Sequence, residues 1–369
     1  MPIQIPTISQ LTDDQWEVQD LPIKGKYMVT GGPGSGKTSI AIRRTEYIKK
    51  DNPKATVQTL LFTKTLNSFF ADGIKKVEGE NKIKINSNIK VWAKWQRAFL
   101  IRHKAWHWNF NDTVPWNTLS KLILDLPLNK MYEHLIIDEG QDFSESDLKV
   151  MSLIADNITI FADKNQRLND RGVGDIGVIK NILDIEDGDY YHLRENHRNT
   201  KQIIESAVSF APEEIDVDIE EVKNTGQKPR IISLQSSDDE IEHISRVVKQ
   251  NRQKDIGILH LENRVIKRMH KQLSDYNVDI QFELKQEGTF DFKKTNPKLC
   301  TLDSSKGLEF DIVIMPQMNK DNYYNREINK KRIYVGMTRP KEELHMSYWG
   351  YPAVFLAQID PNTVDRRQG

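Results

Sequence analysis

Cysteine is almost missing from this chain. Cys300 is the one such residue among 369, so an internal disulfide is impossible, and no Cys or His stands beside it at metal-ligand spacing. Disulfide-stapled scaffolds and zinc fingers are thereby excluded, and a reducing compartment fits. Long apolar runs are missing too. No uninterrupted stretch reaches bilayer-spanning length, and the opening MPIQIPTISQ has no basic start followed by an apolar run; we therefore expect a cytoplasmic protein with no membrane partner. Gly (19) and Pro (14) are too few for collagen-like or low-complexity chains. Net charge is absent as well: 53 Lys plus Arg stand against 53 Asp plus Glu, so whole-chain charge carries no pointer to nucleic acid.

What is present is a composition of 38% hydrophobic and 29% charged residues, enough apolar material for two domains, each with its own core. The charges are segregated. Residues 40–110 hold 15 Lys/Arg against 5 Asp/Glu, whereas 133–222 hold 8 against 22. Such runs keep surfaces wet in most proteins, but a basic stretch also suits a phosphate backbone. Short runs rich in Ile, Val and Leu predict strands over 26–30, 57–62, 134–137, 158–161, 230–234, 256–260, 299–302 and 312–315. Between them lie helical periods, such as Ile40, Ile42, Tyr47 and Ile48 in 38–50, or Ile241, Ile244, Val247 and Val248 in 239–249. The pattern is α/β in two successive sets of parallel strands flanked by helices. The acidic, turn-bearing PEEIDVDIEEVKNTGQKP falls between the sets. We divide the chain into 1–195 and 196–369.

Gly31, Gly32, Pro33, Gly34, Ser35, Gly36, Lys37 and Thr38 spell GGPGSGKT, the G-x-x-x-x-G-K-[ST] pattern, between an expected strand and an expected helix. Glycines let such a loop curl until backbone N–H groups and the helix N-terminus face phosphate oxygens. Lys37 adds a point charge and the Thr38 hydroxyl a ligand for Mg2+. A phosphate loop also needs a carboxylate at a second strand end, and HLIIDEGQD places Asp138 and Glu139 there. Asp138 would hold the metal through its water shell, while Glu139 would accept a proton from the attacking water or position it. An acidic pair after a strand can also simply cap a helix.

From this point the chain resembles the superfamily 1 DNA helicases of the UvrD/Rep type, whose motifs recur in order over nearly the whole length. LTDDQ resembles the adenine-reading motif, with Gln15 on the base. LLFTKTLNSFF resembles a motif in which Phe62 and Thr63 meet single-stranded DNA. NIKVWAKWQRAFL resembles the next one, with Trp92 and Trp95 at its aromatic positions. FADKNQ is similar to GDxxQ, which makes Gln166 the γ-phosphate sensor, and LRENHRNT is similar to LxxNYRS, which gives Arg198 a γ-phosphate role. TLDSSKGLEFD is similar to THxxKGLEFD, with Glu309 on the ribose and Lys306 near the domain cleft. RIYVGMTRPK resembles YVAMTRAK, with Arg339 as arginine finger. The resemblance implies two RecA-like P-loop NTPase domains, ATP hydrolysis at the cleft between them, and 3′ to 5′ movement on single-stranded DNA. Fixed guanidiniums suit the spread charge of a transferring phosphoryl group.

The departures from the family pattern bear on function. The adenine-sandwich positions hold Ser39 and His197. RLNDRG replaces the stacking aromatics after Gln166, Ala162 replaces a Gly, and Asp303 replaces a His. A cluster of Trp92, Trp95, Trp106, Trp108 and Trp116 interleaves with Lys94, Arg97, Arg102 and Lys104, a pattern that suits single-strand binding and equally suits a core. The large accessory subdomains of longer relatives have no counterpart here, and neither does a nuclease carboxylate cluster after Arg339. The tail ending in DRRQG is expected to be flexible. Two other readings stay open: an RNA-directed motor of the same superfamily, and a nucleotide-gated regulatory subunit acting with a nuclease or other DNA-processing partner.

Overall fold

The computed structural model describes residues 5–81, 84–85, 88–107, 114–126, 130–167, 171–211, 219–284, 290–292, 294–323 and 327–369. These fall into two compact units, Ile3–Gly31 with Gly36–Leu193, and Gly32–Ser35 with Arg194–Gly369. The first is the N-terminal unit and the second the C-terminal unit.

In the N-terminal unit, β1 (Lys26–Gly31), β2 (Val57–Leu61), β3 (Asn88–Val91), β4 (Tyr132–Ile137), β5 (Ala155–Ala162) and β6 (Tyr190–Leu193) form one sheet. Its order is β3-β2-β4-β5-β1-β6, and every pair is parallel. Parallel neighbours need crossovers, which are supplied by helices that cover both faces and account for the near-continuous apolar strands. The helices are α1 (Asp13–Gln19), α2 (Lys37–Asp51), α3 (Lys64–Asn81), α4 (Trp92–Arg102), α5 (Trp116–Leu124), α6 (Glu145–Ile154) and α7 (Ile176–Leu183). Leu60, Leu135, Ile137, Ile158 and Ile160 pack with Trp92, Trp95, Phe99, Leu148 and Ile179 in a single core. Each such fully buried side chain is worth roughly 1.5–3 kcal/mol. Register fixes where function can sit: Thr30 lies opposite Ala162 and Ile137 opposite Ile160, so the loops leaving β1, β4 and β5 emerge together at one sheet edge. With β5 between β1 and β4, the order is RecA-like.

The C-terminal unit carries the second sheet, β11-β12-β10-β13-β14-β9-β15, again parallel throughout. Its strands are β9 (Arg230–Leu234), β10 (Ile256–His260), β11 (Gln281–Phe282), β12 (Lys298–Thr301), β13 (Phe310–Met315), β14 (Pro340–Trp349) and β15 (Asp365–Gln368), and a short pair, β7 (Asn196–Thr200) and β8 (Val222–Asn224), stands beside it. The helices are α8 (Lys201–Ala207), α9 (Ser237–Gln250), α10 (Asn263–Asp275), α11 (Glu327–Met337) and α12 (Val354–Gln358). Ile241, Ile244, Val265, Ile266 and Met269 of α9 and α10 meet Ile258, Leu299 and Ile314 of the strands in its core.

The expectation of a flexible tail is corrected. Phe355 and Leu356 of α12 are buried, and β15 runs parallel to β9, with Asp365 N donating to Pro229 O at 2.8 Å and Gly369 N to Ser233 O at 2.9 Å. The DRRQ strand is polar because it lies at a sheet edge, where backbone pairing and not apolar burial holds it. No described helix is long and apolar enough to cross a membrane.

Candidate functional site

At the shared edge of β1, β4 and β5, the loop after β1 turns through two left-handed glycines, Gly34 (φ 79°) and Gly36 (φ 88°), before α2 begins at Lys37. Both positions also lack room for a side chain. A Cβ on Gly36 would stand 2.7 Å from Gln15 Nε2, and one on Gly34 would stand 2.6 Å from Asn196 Oδ1. Ser35 N and Oγ both donate to Gly32 O, at 3.4 and 2.9 Å. Gly31 closes β1 and accepts from Lys37 Nζ at 2.6 Å, and Pro33 O accepts from Asn196 Nδ2 at 2.9 Å.

The Thr38 hydroxyl donates to Asp138 Oδ2 at 2.9 Å. Burial, and then the neighbouring Glu139 charge, hold the Asp138 carboxyl well above the usual carboxylate range, against the opposing pull of Thr38 and Lys37. A cation beside it would reverse that shift. Glu139 sits in the left-handed region (φ 59°), a conformation that is costly for a non-glycine residue and that turns the chain sharply out of β4.

The structure then brings in Gln141 and Asp163, to which no motif assigns a role. Gln141 Nε2 donates to Glu139 Oε2 at 2.7 Å, and Gln141 Oε1 accepts from Asp163 N at 2.9 Å. Asp163 Oδ2 in turn accepts from Lys37 Nζ at 3.3 Å and from Gln166 Nε2 at 2.9 Å, while Oδ1 accepts from Asn165 N at 3.0 Å. A continuous polar chain therefore runs from Glu139 through Gln141 and Asp163 to Lys37 and Gln166, all of it buried or nearly so. The signal available in the sequence was two polar residues following strand ends within quoted motifs, with nothing to say that they touch.

Gln15 is buried, and its amide closes the capping box of α1 with Thr12. Two buried arginines of α2 fasten that segment. Arg44 Nη1 donates to Leu21 O at 2.5 Å, its Nη2 donates to Pro22 O, and the guanidinium lies 5.7 and 5.5 Å from the Tyr27 and Tyr47 rings. Arg43 Nε donates to Pro6 O at 2.9 Å, and Gln19 Nε2 donates to Arg43 O at 3.3 Å. Burial draws the Arg44 guanidinium down to about 10, which leaves it charged at neutral pH.

The expected nucleic-acid residues divide. Phe62 is half-buried and edge-on to Phe143 at 5.5 Å, and Thr63 Oγ1 caps α3 by accepting from Leu66 N at 3.3 Å. Trp92 and Trp95 contradict the expectation of base-stacking surfaces. They are 5% and 2% exposed, stacked on each other at 4.9 Å, and their indole N–H groups donate to Asp147 Oδ1 at 2.6 Å and Tyr132 OH at 2.9 Å. Their spacing with Gln96, Phe99 and Leu100 follows the helical period, so together they form the core face of α4. Trp108 and 168–170 of RLNDRG lie outside the described residues.

In the C-terminal unit, Arg198 Nε donates to Glu309 Oε2 at 3.1 Å and Lys341 Nζ pairs with Glu309 Oε1 at 2.8 Å. These two cations hold the Glu309 carboxyl below its ordinary range in spite of its burial. Arg339 is 1% exposed, its Nε donating to Val335 O at 2.9 Å and its Nη1 to Leu308 O at 3.3 Å. Lys306 is buried. His197 is exposed and 3.5 Å from Glu195, and Asp303 forms a two-pronged ion pair with Arg332 at 2.7 and 2.9 Å. Among the described residues, no group of three His, Cys, Asp or Glu is arranged to hold a metal, and Cys300 is fully buried.

Comparison with known proteins bears on the second half of the chain. Residues 191–296 and 283–351 match the UvrD-like helicase C-terminal domain. Among solved structures, the C-terminal domain of a possible DNA helicase from Lactobacillus plantarum WCFS1 is similar at 19% identity, over 46% of this chain and 97% of that one, with a TM-score of 0.39. Arterivirus nonstructural protein 10, a helicase, is similar at 13% identity over 94% of this chain, with a TM-score of 0.42; the chain spans 64% of that protein. No curated protein matches the chain.

Proposed function

Over its C-terminal unit the chain is a UvrD-like superfamily 1 helicase, and from that premise we propose that it is an ATP- and Mg2+-dependent translocase on single-stranded DNA, moving 3′ to 5′. One observation carries the hydrolytic half of this reading: the Thr38 hydroxyl lies on the Asp138 carboxylate at 2.9 Å, with Lys37 held by Gly31 and Asp163 at the same sheet edge.

The residues fit a nucleotide phosphate with its metal. Two left-handed glycines curl the loop ahead of the N-terminus of α2, and a hydroxyl and a carboxylate stand together as oxygen ligands. Thr38 and Asp138 would hold Mg2+, which when bound neutralises developing charge on the phosphate oxygens. Lys37 supplies a fixed cation. Glu139, oriented through Gln141, accepts the proton of the attacking water. Gln166, held by Asp163, senses the γ-phosphate, and Arg198 and Arg339 take γ-phosphate roles as fixed guanidiniums. Gln15 reads the adenine edge and Glu309 the ribose. Phe62 and Thr63 meet the DNA.

The test is a pair of variants, Glu139→Gln and Arg339→Ala, each expected to abolish turnover while leaving ATP binding measurable. Near-normal hydrolysis by either purified variant removes that residue from the mechanism. A second reading, a nucleotide-gated regulatory ATPase that works with a nuclease or other partner, gains from the burial of Trp92 and Trp95, which takes two stacking rings away from any strand. It expects stimulated hydrolysis with no directional strand displacement. An RNA track is distinguished by strand competition.

A further inference from the structure

The helix that turns its tryptophans inward turns its cations outward. Lys94, Arg97, Ile101 and Arg102 of α4, with Lys104 just after it, are all exposed, and the four helical positions follow i, i+3, i+7, i+8 along one face about 12 Å long. Surface cations elsewhere in this protein are commonly paired, as Lys75 is with Asp72, Lys149 with Glu145 and Arg246 with Glu242. Here the sequence from 91 to 110 contains no Asp or Glu at all, and among the described residues none of Lys94, Arg97, Arg102 and Lys104 has a carboxylate partner. One apolar group interrupts the charge, Ile101 at 54% exposed, and the Arg97 guanidinium lies 5.1 Å from the centre of the Trp106 ring, which is half-buried against the core.

We propose that this outer face of α4 is a single-stranded nucleic-acid contact, in which Lys94, Arg97, Arg102 and Lys104 take the phosphates and the exposed Ile101 meets unstacked bases. Unpaired cations on a rigid helix gain from counterion release when a polyanion binds, and they lose no existing ion pair in doing so. A duplex offers phosphates but hides its base faces, so the exposed Ile101 selects the single strand. The inference deepens the motor reading and rests on it.

The experiment is fluorescence anisotropy of a labelled oligo-dT and of a labelled duplex against the full chain and the triple variant Lys94→Gln/Arg97→Gln/Arg102→Gln, over 50 to 300 mM salt, with Lys271→Gln on α10 as a control in which one exposed cation is removed elsewhere. At about 0.7 counterions per single-strand phosphate, the triple variant should lose roughly 50-fold in oligo-dT affinity at 0.15 M salt, and its log–log salt slope should become shallower by about 2. Hydrolysis without nucleic acid and the melting temperature should stay as in the parent, and Lys271→Gln should bind normally. Parent-like oligo-dT affinity and slope in the triple variant overturn the assignment. A loss confined to the duplex overturns the choice of single strand. Failure of the parent itself to bind oligo-dT overturns both this contact and the motor reading, which separates that failure from the first.

Discussion

Replacing Asp163 by Asn removes a full negative charge from the middle of the polar chain that holds Lys37 and Gln166. Asp163 Oδ2 accepts from Lys37 Nζ at 3.3 Å and Gln166 Nε2 at 2.9 Å, with the carboxylate fully buried. At an effective dielectric constant near 20 the gross Lys37 attraction is about 5 kcal/mol. Desolvation cancels much of that, and hydrogen bonds to charged groups are worth about 1.5–3 kcal/mol net. The Asn amide would turn a donor toward two donors, while its oxygen can keep the Asn165 N–H. We therefore expect the N-terminal unit to lose about 2–4 kcal/mol of stability, near 5–12 °C in melting temperature for a unit of this size. Turnover at saturating ATP and single-stranded DNA should fall about 100-fold, because Lys37 and Gln166 no longer share an anchor and small misplacements of catalytic groups are costly. ATP affinity should hold or tighten, since Lys37 no longer leaves a carboxylate to meet phosphate. Calorimetry, a fluorescent ATP analogue and steady-state hydrolysis read the three quantities. A variant with parent melting temperature and turnover within about threefold would refute the anchoring role.

Arg44→Met should cost about 3–5 kcal/mol, because it strands the Leu21 and Pro22 carbonyls that the guanidinium now serves and removes a charge seated between Tyr27 and Tyr47; denaturant unfolding checks it. Deleting 365–369 should remove roughly 2–4 kcal/mol of edge pairing with β9, and hydrogen exchange should already find the amides of Asp365 and Gly369, which donate to Pro229 O and Ser233 O, protected in the parent, whereas immediate exchange there would contradict the strand. Burial, with His345 and the nearby Arg246 and Arg230, holds the His243 imidazole down to about 4. Between pH 6.5 and 4 the unfolded chain binds a proton at this residue that the folded chain refuses. Its stabilising contribution is thus complete above pH 6.5 and fades as pH falls toward 4. His243→Gln should flatten the melting-temperature profile in that window, and an unchanged slope would rule the residue out.

How much was legible in the sequence follows from which signals were local. The eight anticipated strands are those that bury both faces, such as HLII in β4 or IVIM in β13, where parallel packing leaves an unbroken apolar run. The strands that went unseen are short or polar for a positional reason: β3 and β15 lie at sheet edges, β6 is half-exposed, and β14 begins with the charged KEE before its buried middle. The phosphate loop is contiguous and reads as one pattern. Gln141 and Asp163 lie 22 residues apart and meet because β4 and β5 are register-matched neighbours, which no local pattern carries. Trp92 and Trp95 show the opposite hazard. Their resemblance to a DNA-facing motif competed with a helical period shared with Phe99 and Leu100, and the period won because burying those rings closes the core between α4 and the sheet.

The central claim, a nucleic-acid-driven ATPase, is tested most directly by steady-state ATP hydrolysis of the purified chain alone, with single-stranded DNA and with single-stranded RNA, against Lys37→Ala as the blank. The account predicts a large stimulation by single-stranded DNA that vanishes in Lys37→Ala. Hydrolysis that neither polymer stimulates, or that survives in Lys37→Ala, would contradict it.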